Sequence, residues 1–196
     1  MASSEQSIRR PATGPRLAVV QLAPVLGDLE ANLATHLEHI ERARDQGADL
    51  VVFPELSLSG YRLKDSVPDL AISTTDSILD PLKDASRAIS VVFGMVEEAA
   101  DHRFFNSAVY LEEATVVACH RKVYLPTYGM FDEQRYFARG GRLAAFNTKH
   151  GRMALLVCED MLHTTALTVV AMDGASTVIV PSASPAADVA AQADAG

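Results

Sequence analysis

The stretch Arg152 to Asp160, R-M-A-L-L-V-C-E-D, decides how this chain is interpreted. Its centre, Ala154 to Val157, is fully apolar and has the length of a buried β-strand. The strand is followed by Cys158 and then by two acidic residues, Glu159 and Asp160. Parallel α/β sheets carry their working residues at the carboxyl ends of strands, so Cys158 is a candidate nucleophile. A small thiol in the core is an equally good interpretation of this stretch alone, since free cysteine is among the most buried residue types.

Composition narrows the class of protein. Of the 196 residues 48% are hydrophobic, which is enough to form the core of one domain. The net charge of −8 argues against a nucleic acid or an anionic membrane as partner, because both need a basic surface. We find neither a signal-like segment nor an apolar stretch of bilayer length. The only cysteines, Cys119 and Cys158, form no paired motif, which predicts free thiols and a cytoplasmic setting.

Alternating apolar runs and helical periodicity predict an α/β fold. A strand over Arg16 to Leu22, a helix from Leu29 to Gly47 and a strand over Ala48 to Phe53 form a βαβ unit with parallel strands. Three β-like runs joined by short connections then predict antiparallel hairpins: Ala88 to Val96, Phe104 to Leu111 and Ala114 to His120. Later segments predict a hairpin (Leu143 to Asn147 with Arg152 to Cys158), a helix (Thr164 to Asp173) and a last strand (Ser176 to Val180).

The domain organisation follows from the same patterns. We predict a polar, disordered leader over 1–15, one catalytic domain over 16–185 and an Ala-rich, disordered tail over 186–196. The first helix carries His36 and His39 one turn apart. We assign both to a solvated face rather than to a metal site, because no further ligands lie nearby in the sequence.

Three of the predicted strands end in residues that can do chemistry together: Glu55, Lys122 and Cys158. A thiol near its reference pKa of about 8.5 needs a base at neutral pH, and a carboxylate can take its proton. An ammonium group offsets carboxylate repulsion and stabilises the oxyanion that forms when a thiolate attacks a carbonyl or nitrile carbon. Glu159 and Asp160 add negative charge beside the thiol, so we expect Cys158 to be deprotonated on demand rather than permanently ionised.

Three motifs resemble the carbon–nitrogen hydrolase (nitrilase) superfamily, in the family's order. They are F-P-E-L-S-L-S-G-Y (Phe53 to Tyr61), H-R-K-V-Y-L-P-T-Y-G-M-F-D-E-Q-R-Y-F (His120 to Phe137) and L-L-V-C-E-D (Leu155 to Asp160). The second motif resembles the glutamine-hydrolysing domain of NAD synthetases and related free-standing amidases. The resemblance implies a four-layer α-β-β-α sandwich, here incomplete at the C-terminus, with a Glu-Lys-Cys triad.

Carried over residue by residue, the resemblance implies a role for each matching position. Glu55 is the general base and Cys158 the nucleophile, while Lys122 stabilises the tetrahedral intermediate with help from the backbone N–H of Glu159. Glu133 matches a second glutamate that positions substrate. Two aromatic residues, Tyr61 and Tyr128, match pocket-lining positions, although packed loop aromatics would look the same. Ser182 and Ser184 are further candidates for the pocket wall, between which the sequence does not decide.

The implied mechanism hydrolyses a small amide through a cysteine thioester, releases ammonia and needs no metal or organic cofactor. The glutamine side chain is one candidate substrate, and nitriles and N-carbamoyl compounds are others with the same triad. Two departures stand out: Leu162 occupies a position where synthetase-type members commonly carry tryptophan, and the family's later strands and dimer-forming tail find no match. The missing tail weakens the expectation of a homo-oligomer.

Two other classes of function therefore remain open. One is a catalytically incompetent fragment or pseudo-enzyme partner of a nitrilase-family protein, since a truncated sandwich leaves sheet edges unpaired. The other is a redox sensor built on Cys158. Ammonia release that is lost in Cys158→Ala distinguishes the enzyme from both.

Overall fold

The structure, a computed structural model, describes residues 14–129 and 131–183. The predicted leader and tail therefore lie almost entirely outside the described residues. The described chain contains eight strands: β1 (Leu17–Val19), β2 (Leu50–Val52), β3 (Ser90–Glu98), β4 (Phe104–Glu112), β5 (Thr115–Arg121), β6 (Ala145–Thr148), β7 (Gly151–Leu155) and β8 (Thr177–Ile179). It also contains five α-helices: α1 (Leu29–Asp45), α2 (Val67–Leu70), α3 (Asp80–Ala85), α4 (Glu133–Tyr136) and α5 (Thr164–Met172).

Two sheets are formed. The larger has the order β1-β2-β3-β4-β5, parallel from β1 to β3 and antiparallel from β3 to β5. In the smaller, β7 pairs antiparallel with β6 and parallel with β8. The predicted βαβ unit and all three predicted hairpins are confirmed. Parallel neighbours need a long crossover such as α1, whereas short connections join antiparallel neighbours.

Apolar packing arranges the elements in four layers. On one face of the larger sheet, Ile40 of α1 and Leu82 of α3 join a core with Val51 and Phe93. Its opposite face packs Leu50, Val92 and Tyr110 on Met153 and Leu155 of the smaller sheet. The smaller sheet is covered on its far side by α5, through Ala166 and Val170. The predicted α-β-β-α sandwich is thus confirmed.

The helix α1 shows how local sequence sets its limits. Asp28 caps it by accepting a hydrogen bond from the Ala31 N–H at 2.9 Å, and Gly47 ends it at φ +73°. The assignment of both histidines to a solvated face was wrong for His36, which is fully buried and stacked on Phe53. Its ring nitrogens are bonded to the Asn32 carbonyl and the Ser57 hydroxyl, 2.6 and 2.9 Å away. Burial lowers the pKa of His36 to about 4, so the ring is neutral at physiological pH.

Part of the larger sheet remains uncovered. Leu17 and Val19 share the face of Leu50 and Val52, which turns toward the smaller sheet, yet they are 46% and 79% exposed. Within the described residues this part of the larger sheet has no covering layer, whereas fully covered parallel strands bury both faces. Within the described residues no helix is both long and apolar enough to cross a membrane.

Candidate active site

Glu55 follows β2 directly and turns into the interior, where it is only 2% exposed. The chain bends sharply after it, because Leu56 has a left-handed φ of +49°. Gly94 on the neighbouring β3 makes room for this bend: a Cβ atom there would lie 2.2 Å from the Leu56 backbone nitrogen. The end of β2 and the absence of a side chain at Gly94 together fix the position of the Glu55 carboxylate.

Lys122 follows β5 and is 1% exposed, which is rare for lysine without a partner. Its backbone N–H donates to the Asn106 carbonyl on β4 at 2.9 Å, and its own carbonyl accepts from the Gly140 N–H at 2.8 Å. A Cβ atom at Gly140 would lie 2.0 Å from the Arg121 carbonyl oxygen, so only glycine permits this approach. Lys122 is therefore held on both sides by backbone.

Cys158 follows an apolar run, Ala154 to Val157, that begins within β7 and is at most 1% exposed. Its N–H donates to the Pro181 carbonyl at 3.0 Å, and its φ of +44° begins a short 3₁₀ turn, Cys158–Leu162. The thiol is partly exposed rather than sealed in the core. This confirms the strand-end placement and goes against the core-thiol interpretation.

These strand ends meet in a compact group of side chains that we call the Glu55 cluster: Glu55, Lys122, Glu133 and Cys158. The Lys122 ammonium lies 2.7 Å from Oε1 of Glu55 and 2.7 Å from Oε1 of Glu133. Burial alone would lower the pKa of Lys122, but the two carboxylates outweigh it and raise that pKa. Lys122 is thus a fixed cation at the centre of the cluster.

The pKa values of Glu133 and Cys158, the other members of the cluster, are also shifted by their surroundings. Burial raises the pKa of Glu133, and the negative charge of Glu55 adds to this, although Lys122 opposes it. Burial raises the pKa of the Cys158 thiol to about 11, with the charge of Glu55 as the next cause. The thiol is therefore protonated at neutral pH and needs a base. The sequence pointed to the charges of Glu159 and Asp160 as the reason for a protonated thiol, but burial and the charge of Glu55 are the main causes of the raised pKa.

Asp160 has a structural role that the sequence analysis missed. It is completely buried, and its carboxylate accepts the backbone N–H groups of Val123, Tyr124 and Val157 at 2.9–3.0 Å. His120 Nε2 lies 2.8 Å from the same carboxylate. Asp160 thus ties the turn that carries the nucleophile to the segment that follows Lys122. Its place next to the cysteine was visible in the sequence, but its partners were not.

The predicted pocket residues are divided between two positions. The Tyr61 hydroxyl donates to Oε1 of Glu133, and burial followed by this bond raises the pKa of Tyr61, which stays a neutral donor. Tyr128 is 55% exposed and donates to Oε2 of Glu159 at 2.8 Å. Both tyrosines stack edge to face with Phe131, so they form one aromatic wall. Of the two serines, Ser182 donates its hydroxyl to the Val180 carbonyl at 3.4 Å, whereas Ser184 lies outside the described residues.

A cleft of about 380 Å³ adjoins this wall, and it is lined by Tyr61, Phe131, Glu133 and Tyr136 among others. Its size suits a small molecule. Glu133 is the member of the Glu55 cluster that lines it, whereas Glu55, Lys122 and Cys158 do not. Among the described residues no three side chains of His, Cys, Asp or Glu are grouped so as to hold a metal ion.

The family can now be assigned. A model of the carbon–nitrogen hydrolases matches residues 16–195, which is most of the chain. The chain belongs to the carbon–nitrogen hydrolase family. This hydrolase-family chain is 31% identical over 172 residues to the glutamine-dependent NAD(+) synthetase of Acinetobacter baylyi, which covers 87% of this chain and 31% of the synthetase. It is 34% identical over 149 residues to the synthetase of Thermotoga maritima, covering 74% of this chain and 26% of that protein. The chain thus spans a third or less of the length of these relatives.

Solved structures show the same fold. The glutamine-dependent NAD+ synthetase from Acinetobacter baumannii superposes with a TM-score of 0.81 at 28% identity, covering 93% of this chain and 35% of that one. A mutant amidase from Nesterenkonia sp. AN1, with acrylamide added to its active-site cysteine, gives 0.79 at 25% identity, covering 91% and 70%. The nitrilase-type sandwich is therefore shown by both sequence and structure.

Proposed function

We propose that this chain hydrolyses the carbon–nitrogen bond of a small amide through a cysteine thioester and releases ammonia. The observation that carries the proposal is the buried contact of Glu55, Lys122 and Glu133 beside a partly exposed, protonated thiol. A base, a fixed cation and a nucleophile are the groups that acyl transfer needs. Membership of the carbon–nitrogen hydrolase family supports the same class of reaction.

The steps follow from these positions. Glu55 takes the proton of Cys158, and the thiolate attacks the amide carbon while Lys122 and the Glu159 N–H stabilise the oxyanion. Glu55 returns the proton to the leaving nitrogen, and ammonia departs. Water, deprotonated by Glu55, then cleaves the thioester and regenerates the thiol. General acid–base catalysis contributes roughly 10²–10⁴-fold and oxyanion stabilisation about 10²–10³-fold.

An unused acceptor favours an amide over a nitrile. Oε2 of Glu133 is buried and has no hydrogen-bond partner among the described residues, while its Oε1 is taken by Lys122 and Tyr61. A buried acceptor without a donor costs about 1–3 kcal/mol. The N–H of an amide substrate can supply that donor, whereas a nitrile has none. We therefore assign Glu133 to substrate positioning, with Tyr61 holding its other oxygen in place.

The names of the relatives suggest which amide to test first. Glutamine-dependent NAD(+) synthetases imply the glutamine side chain, and the Nesterenkonia protein is an amidase. Tyr128 and Glu159, bonded to each other at the outer end of the site, would contact the part of the substrate farthest from the reacting amide. The exposed Leu162 at the family's tryptophan position marks a difference from the synthetase type.

An ammonia-release assay tests the proposal. The panel contains glutamine, asparagine, simple aliphatic amides, N-carbamoyl compounds and nitriles. We expect release from at least one amide, with loss of about 10³-fold or more in Cys158→Ala and full activity in Cys119→Ala, the matched control. Equal activity in wild type and Cys158→Ala would refute the mechanism.

One observation supports a second candidate, a pseudo-enzyme partner. The exposed inner face of β1, at Leu17 and Val19, offers apolar surface to another polypeptide. A folded chain that releases no ammonia from the whole panel would favour this function. The redox-sensor hypothesis has less support, because sensor cysteines have a low pKa and that of Cys158 is raised.

A further inference from the structure

Asn106, on β4, contacts two members of the Glu55 cluster, Glu55 and Lys122, and is 1% exposed. Its backbone carbonyl accepts the N–H of Lys122 at 2.9 Å, and its side-chain Nδ2 donates to Oε1 of Glu55 at 2.8 Å. The amide must be oriented in this way, because the opposite orientation would place Oδ1 against a carboxylate oxygen. One residue of β4 therefore contacts both strand ends, Lys122 through its backbone and Glu55 through its side chain.

The acceptor sites of Glu55 can be counted. A carboxylate offers about four lone-pair sites, two on each oxygen. On Oε1 both are occupied, one by Lys122 Nζ at 2.7 Å and one by Asn106 Nδ2. On Oε2 one is occupied, by the Ala183 N–H at 3.0 Å. Glu55 thus has a single remaining site for a proton, and it lies on Oε2.

The position of Oε2 relative to the thiol follows from the segment after β8. The carbonyl of Pro181 accepts the N–H of Cys158 at 3.0 Å, and two residues later Ala183 donates to Oε2. One short stretch of backbone therefore touches both Oε2 and the backbone of Cys158, whereas Oε1 faces Lys122 and Asn106. Burial raises the pKa of the thiol, and the negative charge of Glu55 adds to this.

We propose that Asn106 is a positioning residue that directs the Cys158 proton to Oε2 of Glu55. In this step the S–H bond breaks, the electron pair stays on sulfur, and the proton forms an O–H bond at Oε2. Without the Asn106 donor a second protonation site opens on Oε1, facing Lys122 instead of the thiol. A proton held there is unavailable both to the sulfur and to the leaving nitrogen. The inference rests on the proposed function of Glu55 as the base.

Asn106→Leu tests this role, since leucine has a similar size and no donor. For ammonia release we expect kcat to fall about 10- to 100-fold with KM changed less than about threefold, because a misaligned base affects chemistry more than binding. A merely structural role would instead raise KM together with the fall in kcat.

Alkylation by iodoacetamide, followed by peptide mapping, gives a measurement that needs no substrate. We expect Asn106→Leu to slow alkylation of Cys158 several-fold at neutral pH and to leave Cys119 unchanged. Ser107→Ala is the matched control on the same strand, since its hydroxyl bonds Glu97 rather than Glu55, and it should leave Cys158 unaffected. If wild type releases no ammonia, the proposed function fails while alkylation still decides the role of Asn106.

Two results would overturn the inference. One is a folded Asn106→Leu protein that alkylates Cys158 at the wild-type rate. The other is faster alkylation of both cysteines together, which would show general loosening rather than a change at Glu55. If Asn106→Leu does not fold, Asn106→Asp keeps the size but replaces the donor with an acceptor, and the same measurements decide.

Discussion

Two clusters in this protein contain the same kinds of residue but differ in what they can do. Besides the Glu55 cluster, Glu97, Ser107, Cys119 and Arg121 form a second group, the Glu97 cluster, beside the larger sheet. Arg121 holds both oxygens of Glu97 at 2.6 and 2.8 Å, and the Ser107 hydroxyl donates to one of them at 2.7 Å. The Cys119 thiol also points to that carboxylate, 3.5 Å away. Each cluster therefore has a glutamate, a cation and a cysteine.

The difference lies in where the chain delivers each thiol. Cys158 ends an apolar run at a turn with a left-handed φ, whereas Cys119 lies within β5, where no turn presents backbone N–H groups to an oxyanion. Cys119 is exposed to solvent and Cys158 only partly exposed, so exposure alone does not mark the nucleophile. The larger cleft of the described structure, about 840 Å³, adjoins the Glu97 cluster. Residue types and cavity size do not distinguish the two clusters; what distinguishes them is that the thiol of the proposed active site lies at a strand end.

The largest difference in stability is expected when the cation of each cluster, Lys122 or Arg121, is replaced in a separate variant. Lys122→Met leaves Glu55 and Glu133 buried without a counterion, so we expect a loss of about 3–5 kcal/mol in the free energy of unfolding. Arg121→Met should cost about 1 kcal/mol, because the Arg121 side chain is 36% exposed and water screens its pair. Denaturant titration of both variants measures the difference, and equal losses would contradict the comparison.

A smaller effect is expected at the glycine pair beside these cations. Gly140→Ala forces a Cβ against the Arg121 carbonyl, which should destabilise the protein by about 1–3 kcal/mol and lower activity by displacing Lys122. Gly141→Ala is the matched control, because no atom lies within 4 Å of a Cβ there, and its effect should stay within about 0.5 kcal/mol. Thermal unfolding and ammonia release measure both. Tolerance of alanine at Gly140 would show that the backbone clamp on Lys122 is unimportant.

The smallest effects concern the unfolding temperature after replacement of Glu97 or Glu133, and the two changes should have opposite signs. Burial would raise the pKa of Glu97, but Arg121 and Ser107 outweigh it and lower that pKa, whereas the pKa of Glu133 is raised. The contribution of Glu97 is therefore present above its unfolded value of 4.5 and lost as the pH falls. The contribution of Glu133 is present below 4.5 and lost as the pH rises through its folded value.

At pH 7 we accordingly expect Glu97→Gln to lower the unfolding temperature and Glu133→Gln to raise it, each by about 2–4 °C for about 1 kcal/mol. Glu133→Gln should still lose activity, because the replacement amide presents a donor where the substrate N–H needs an acceptor. Calorimetry at pH 7 and pH 4 measures the signs, and the Glu97→Gln loss should shrink at pH 4. Shifts in the same direction at pH 7 would contradict the pKa directions.

The sequence by itself determined the fold class and the catalytic candidates of this carbon–nitrogen hydrolase family member. Strand, helix and hairpin positions follow from local periodicity and connection length, and Glu55, Lys122 and Cys158 each lie at or just after the end of a predicted strand. Their roles remain predictions, but their convergence is a fact of the structure for Glu55 and Lys122, with the thiol beside them.

Only the tertiary structure decided which polar residues support that site. Asn106 and Asp160 bind groups 51 and 36–40 residues away in the sequence, and His36 is buried against a loop that follows Glu55. No local pattern records such partners, because a buried hydrogen bond depends on which strands lie side by side. For the same reason Cys119 and Cys158 look alike in the sequence, and only turn geometry and neighbouring groups separate them.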